Sequence, residues 1–150
     1  MIFSSLALAI AMGTAPSPLP TPQSLPVITL RAPRAALHLQ VARTEDQRER
    51  GLMSVRHLPP HAGMLFVFDS DGPVAFWMKD TLIPLDMVFL SADGTVRKLF
   101  ARVPVVSPSL PDPDIPLEQG SAKYVIELPS GEAQPDGLRP GVRVGGLPRS

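Results

Sequence analysis

The side chains able to do chemistry gather around one apolar stretch, FWMKDTLIPLDMVFL (residues 76–90), which holds Trp77, Lys79, Asp80, Thr81 and Asp86. Arg50 upstream and Glu127, inside YVIEL, complete the set. Two bases, three acids, a hydroxyl and an indole suit a polar or anionic ligand. Arg50 and Lys79 would hold it, Trp77 would stack on it, and the acids would orient the bases or accept hydrogen bonds. The acids also suggest a second chemistry. Hydrolysis of a sugar polymer needs two carboxyls about 5–9 Å apart on opposite sides of the bond. Asp86 or Glu127 is the candidate acid for a hydrolase of cell-envelope polymer, although the spacing assigns no catalytic residue. A third reading gives these residues no ligand: a carboxylate inside a strand must be paired, hydrogen-bonded or protonated, and ion pairs and turn caps would satisfy that.

Other chemistries find less support. Met53, Met64, Met78 and Met87 fall in the same central segment, and thioethers favour Cu(I). Methionine is also the ordinary gap filler of an aliphatic core. The histidines are His38, His57 and His61, and no serine lies in a G-x-S-x-G elbow. Pro59 and Pro60 between His57 and His61 oppose the helical i, i+4 spacing of a zinc pair, so both read as exposed turn residues. No metal site and no cofactor is expected. With no cysteine, there is no thiolate ligand, no disulfide and no lipid-modified cysteine.

The chain that must position these residues has 150 residues, enough for one domain with a real core. Its 14 basic and 14 acidic residues balance, which argues against nucleic acid or an anionic membrane surface. The first thirty residues carry no charged side chain. Ile2–Met12 is an apolar run of signal-peptide length, too short for a membrane span, and small residues follow it. Residues 1–13 are therefore expected to be a signal peptide. Residues 14–35, with five prolines between Pro16 and Pro26, are expected to form a semi-rigid tether, and residues 36–147 a single β-rich domain. The combined expectation is an exported soluble protein, periplasmic or extracellular. Its partner would be a small polar ligand or an envelope component.

Leu37, Leu39 and Val41 alternate with polar or small residues as in a half-buried strand. Thr44 and Gln47 form a capping box, Glu45 and Asp46 suit a first helical turn, and Gly51 offers a stop, which predicts a helix over 45–50. GMLFVF (63–68) predicts a strand covered on both faces, 69–73 a turn, 74–78 and 85–90 two further strands. Asp93-Gly94 predicts a hairpin into a strand over 95–103. A proline- and acid-rich loop then spans 104–120, followed by a strand over 122–128 and a short closing strand over 142–145. The fold class expected is mainly β: six to seven short strands with one or two short helices, closed or half closed into a small barrel.

Several of these segments together carry a resemblance. Arg50-Gly-Leu-Met53, Leu58-Pro59, Gly63-Met-Leu-Phe66 with Phe68, Phe76-Trp-Met-Lys79 with Thr81, and Ile83-Pro-Leu-Asp86 with Phe89 resemble the signature of the domain of unknown function 192 family. Tyr124-Val-Ile-Glu-Leu-Pro129 with Gly131, Gly137 and Gly141 is similar to its closing segment. The family pattern usually has asparagine where this chain has Asp80, and an acid where it has Val142. The resemblance implies a compact, mainly β domain, often behind a signal peptide. It implies no particular activity, cofactor or substrate.

Overall fold

A computed structural model describes residues 17–149, so the expected signal peptide lies outside the described residues. Six strands form one mixed sheet: β1 (Val27–Arg31), β2 (Ala36–Ala42), β3 (Ala62–Phe76), β4 (Leu85–Leu90), β5 (Val96–Val103) and β6 (Glu118–Pro129), in the order β1-β2-β3-β6-β4-β5. The helix α1 (Glu45–Arg50) and a 3₁₀ turn over Asp112–Asp114 complete the regular structure among the described residues. All neighbours are antiparallel except β2 and β3. A parallel pair needs a long crossover, and residues 43–61, including α1, supply it.

The sheet is covered on both faces, which is why β3 and β4 read as unbroken apolar runs. Alternation sends Leu65, Val67, Val88, Leu90, Ile126 and Leu128 into one cluster, closed by Ala133, Leu138 and Val144 of the C-terminal segment. It sends Met64, Phe66, Met87, Phe89 and Val125 into the other, together with Leu52 and Phe76. Met64, Met78 and Met87 are buried in this second cluster as packing residues.

Four expectations need correction. The sheet is not closed: β1 and β5 stand at opposite edges. The closing strand expected over 142–145 does not form among the described residues, and Val142–Gly145 instead makes isolated bridges to both edges, Arg31 with Gly145 and Thr95 with Arg143. Backbone bonds from Arg31 N to Gly145 O (2.9 Å) and from Val96 N to Val142 O (2.7 Å) hold it there, so the tail covers edges that would otherwise be free to pair with another chain. Third, the expected turn at 69–73 lies within one long strand. β3 pairs with β6 on both sides of a register shift between Val67 and Gly72, and the polar Asp69–Asp71 bulge outward there. Fourth, β1 occupies residues 27–31, inside the stretch read as tether. It is an edge strand of five residues in which Ile28 and Leu30 turn inward while Val27, Thr29 and Arg31 are exposed, an alternation too short to stand out beside the proline-rich segment before it.

Candidate functional site

α1 forms where its capping box predicts. Gln47 N donates to Thr44 Oγ1 (3.2 Å), and Gln47 Oε1 accepts from the backbone of Thr44 (3.1 Å) and Arg43 (2.8 Å). None of its residues is buried. The helix stops at Gly51, whose φ of 45° disfavours a side chain; a Cβ there would lie 3.3 Å from Phe66 Cζ. The polar helix can thus end directly against an aromatic surface. Leu52 anchors the following turn in the core.

Between α1, the end of β3 and the turn after it lies an open cleft of about 810 Å³. Six of the seven residues singled out from the sequence line it: Arg50, Trp77, Lys79, Asp80, Thr81 and Glu127. The seventh, Asp86, does not. It is buried on the opposite face, with Val88 and Leu90, where Oδ1 accepts from Arg102 N (2.7 Å) and Gly131 N (3.0 Å) and Oδ2 from Ala133 N (2.9 Å). Three backbone amides satisfy the charge, so Asp86 ties the end of β5 to the turn after β6.

The rim carries both signs of charge. Lys79 Nζ lies 2.5 Å from Asp112 Oδ2 and 5.1 Å from the centre of the Trp77 ring. The Asp112 hydrogen bond raises the lysine's pKa. The long loop is thereby pinned to the cleft through the residue expected to hold ligand. Asp80 adopts φ 51°, a left-handed conformation that asparagine and aspartate tolerate best. This gives a backbone reason for the family's usual asparagine and for the acid found here. Asp80 O accepts from Ser54 N (2.9 Å), and Thr81 closes the turn through Thr81 Oγ1 to Lys79 O (3.1 Å).

Glu127 lies deeper. It is 4% exposed, lies opposite Met64 and Met87 in the sheet register, and its pKa is pushed up to about 8 by burial alone. At pH 7 it is mostly a neutral acid, able to donate a hydrogen bond into the cleft. Phe66, Phe68 and Phe76 also line the cleft. The Phe66 and Phe76 rings meet edge to face, with centroids 4.9 Å apart. Arg48, which the sequence reading passed over, lies 5.1 Å from the Phe68 ring centre and donates to Val67 O (3.0 Å). Its place in an exposed-looking helix gave no sign that it would reach back over β3. Pro20 lines the cleft as well, and Gln23 Nε2 donates to the carbonyls of Gln47 and Gly51 (both 2.9 Å). The proline-rich segment is therefore laid against the helix end.

Residues 27–146 match the DUF192 family, described as "Uncharacterized ACR". Two solved structures are similar in fold. One, from Sinorhizobium meliloti and named as a candidate transcription regulator, is 33% identical with a TM-score of 0.74, and the match covers 84% of this chain and 98% of that one. The other, a protein of unknown function from Novosphingobium aromaticivorans, is 24% identical with a TM-score of 0.70, covering 87% and 95%. No curated protein matches the chain. No helix among the described residues is long and apolar enough to cross a membrane.

Proposed function

The chain belongs to the DUF192 family, and on that premise we propose that it is an exported soluble binding or accessory module whose ligand enters the cleft between α1 and the end of β3. The observation that carries this reading is the convergence of Arg50, Trp77, Lys79, Asp80, Thr81 and Glu127, residues up to 77 positions apart, on one concave surface. Aromatic walls with a few polar groups are the usual make-up of a small-molecule site. The ligand that fits has an apolar or sugar-like face for the phenylalanines, a hydrogen-bond acceptor for protonated Glu127, and a polar or anionic group for Arg50. Lys79, already held by Asp112, serves mainly to shape the rim around Trp77. Export is supported by the uncharged, apolar start of the sequence and the proline-rich segment after it. The tail's bridges to both sheet edges support a half-closed barrel as the description of the fold.

A second reading rests on Glu127. A buried carboxyl with a raised pKa, facing an open cleft, is what a general acid requires, so a hydrolase of envelope polymer would use Glu127 and not Asp86. Direct nucleic-acid binding is disfavoured by the balanced charge. Methionine-based copper binding is disfavoured because three of the four central methionines are packing residues of the core.

A thermal-shift panel of peptidoglycan fragments, oligosaccharides, short peptides and Cu(I) tests these readings. One class should raise the melting temperature in proportion to the logarithm of its concentration, and Arg50→Ala should remove the effect. A response to no class counts against a binding function for the cleft.

A further inference from the structure

Away from the cleft, the start of β3 meets the turn that follows β6. His61 and Asp136 join through Nδ1 and Oδ2 at 2.9 Å, while Glu132 Oε2 accepts from His61 N, also at 2.9 Å. One donor atom from each of the three side chains lies within 4.8 Å of the others. None of the three lines the cleft.

Each is held by backbone it does not control. Glu132 and Asp136 are four residues apart and joined by Asp136 N to Glu132 O (3.1 Å), one helical turn that brings both carboxylates to the same side. That turn is itself fastened to buried Asp86 through Gly131 N and Ala133 N. Asp136 O accepts from Arg34 N (3.1 Å) and His61 O from His38 N (2.8 Å). His61 is kept at φ 59°, an uncommon conformation for a residue other than glycine, asparagine or aspartate. The Asp136 side chain is 5% exposed and that of His61 45%. The group therefore has a buried end and an open one.

We propose that His61, Glu132 and Asp136 form a binding site for a borderline divalent cation of the zinc class. Zinc takes both imidazole nitrogen and carboxylate oxygen as ligands, and imidazole suits zinc, nickel and copper(II) better than calcium or magnesium. Two carboxylates and a neutral imidazole leave a charge that a dication neutralises. The geometry needs little change. Ligands about 2.1 Å from zinc at tetrahedral angles lie about 3.4 Å apart, so His61 Nδ1 and Asp136 Oδ2 move slightly apart as the cation takes the place of their shared proton. Glu132 closes in from the other side. The exposed side of His61 leaves the fourth position to solvent or to an outside donor. The rival account is a clamp, in which the three residues only fasten the C-terminal turn to β3.

Isothermal titration of the tag-free full-length chain with Zn²⁺ at pH 8 separates the two. The site predicts saturable binding of one ion per chain, weakened at least about tenfold in both His61→Asn and Glu132→Gln. Asparagine tolerates the left-handed backbone at position 61, and residue 132 is half-buried, so the fold should survive; melting curves without metal check this. If His61→Asn does not fold, Glu132→Gln decides alone. His57→Ala should bind as the parent does. No saturable uptake, or equal affinity in the parent and the folded variants, overturns the proposal.

Discussion

Glu127→Gln is the substitution that most sharply probes the cleft floor. Burial holds the Glu127 carboxyl at about 8 against an ordinary value of 4.5, with no other cause contributing. The folded chain therefore binds this proton more tightly than the unfolded chain does. The corresponding stability is fully present below pH 4.5, is lost as pH rises toward about 8, and then levels off, because above that pH both states are ionised. A neutral glutamine of the same shape removes this pH dependence. The gain over the parent should be negligible at pH 4, roughly 3 kcal/mol at pH 7 and roughly 5 kcal/mol above pH 9. Urea unfolding of both proteins at pH 4, 7 and 9 measures it, provided the slopes with denaturant agree. A difference that stays constant across the series would refute the reasoning, since it would mean that the Glu127 carboxyl titrates in the fold as it does in the unfolded chain.

Other perturbations should act on the frame. Asp86→Asn replaces one acceptor oxygen with an amide that cannot serve all three backbone donors, and should cost roughly 3 kcal/mol in chemical denaturation. Gly63→Ala places a Cβ 1.9 Å from Glu127 O on the neighbouring strand; such a backbone clash should leave too little folded protein for a cooperative melting transition. Asp80→Asn should change stability by no more than about 0.5 kcal/mol, whereas Asp80→Val, forced into a left-handed conformation, should lose about 1–2 kcal/mol in the same measurement.

Much of the frame was legible because it follows local rules. Thr44, Gln47 and Gly51 bound α1 by capping chemistry, Asp93-Gly94 fixes the hairpin between β4 and β5, and Leu85–Leu90 stands out as a buried strand. β3 was misread because Asp69, Ser70, Asp71, Gly72 and Pro73 are turn residues by type. Only pairing with β6 on both sides of the bulge keeps them in one strand. β1 and the tail bridges have the same cause: edge segments gain their structure from a partner, not from their own pattern. For the site, the sequence identified polar residues at odds with apolar surroundings but not the two ways of resolving that conflict. Asp86 resolves it with three amides from segments 16 to 47 residues away, and Glu127 resolves it by keeping its proton. The His61, Glu132 and Asp136 cluster, joining residues 71 and 75 positions apart, had no sequence signature at all.

The most direct test of the cleft as a binding site uses its own tryptophan, the only one in the chain. Trp77 fluorescence would be followed while peptidoglycan fragments, oligosaccharides and short peptides are titrated into the parent chain and into Arg50→Ala and Glu127→Leu, the latter removing the hydrogen-bond donor that a glutamine would keep. A saturable change with one ligand class, with affinity at least about tenfold weaker in either variant, is the predicted result. A flat response to every class, or a saturable response that neither substitution weakens, would contradict it.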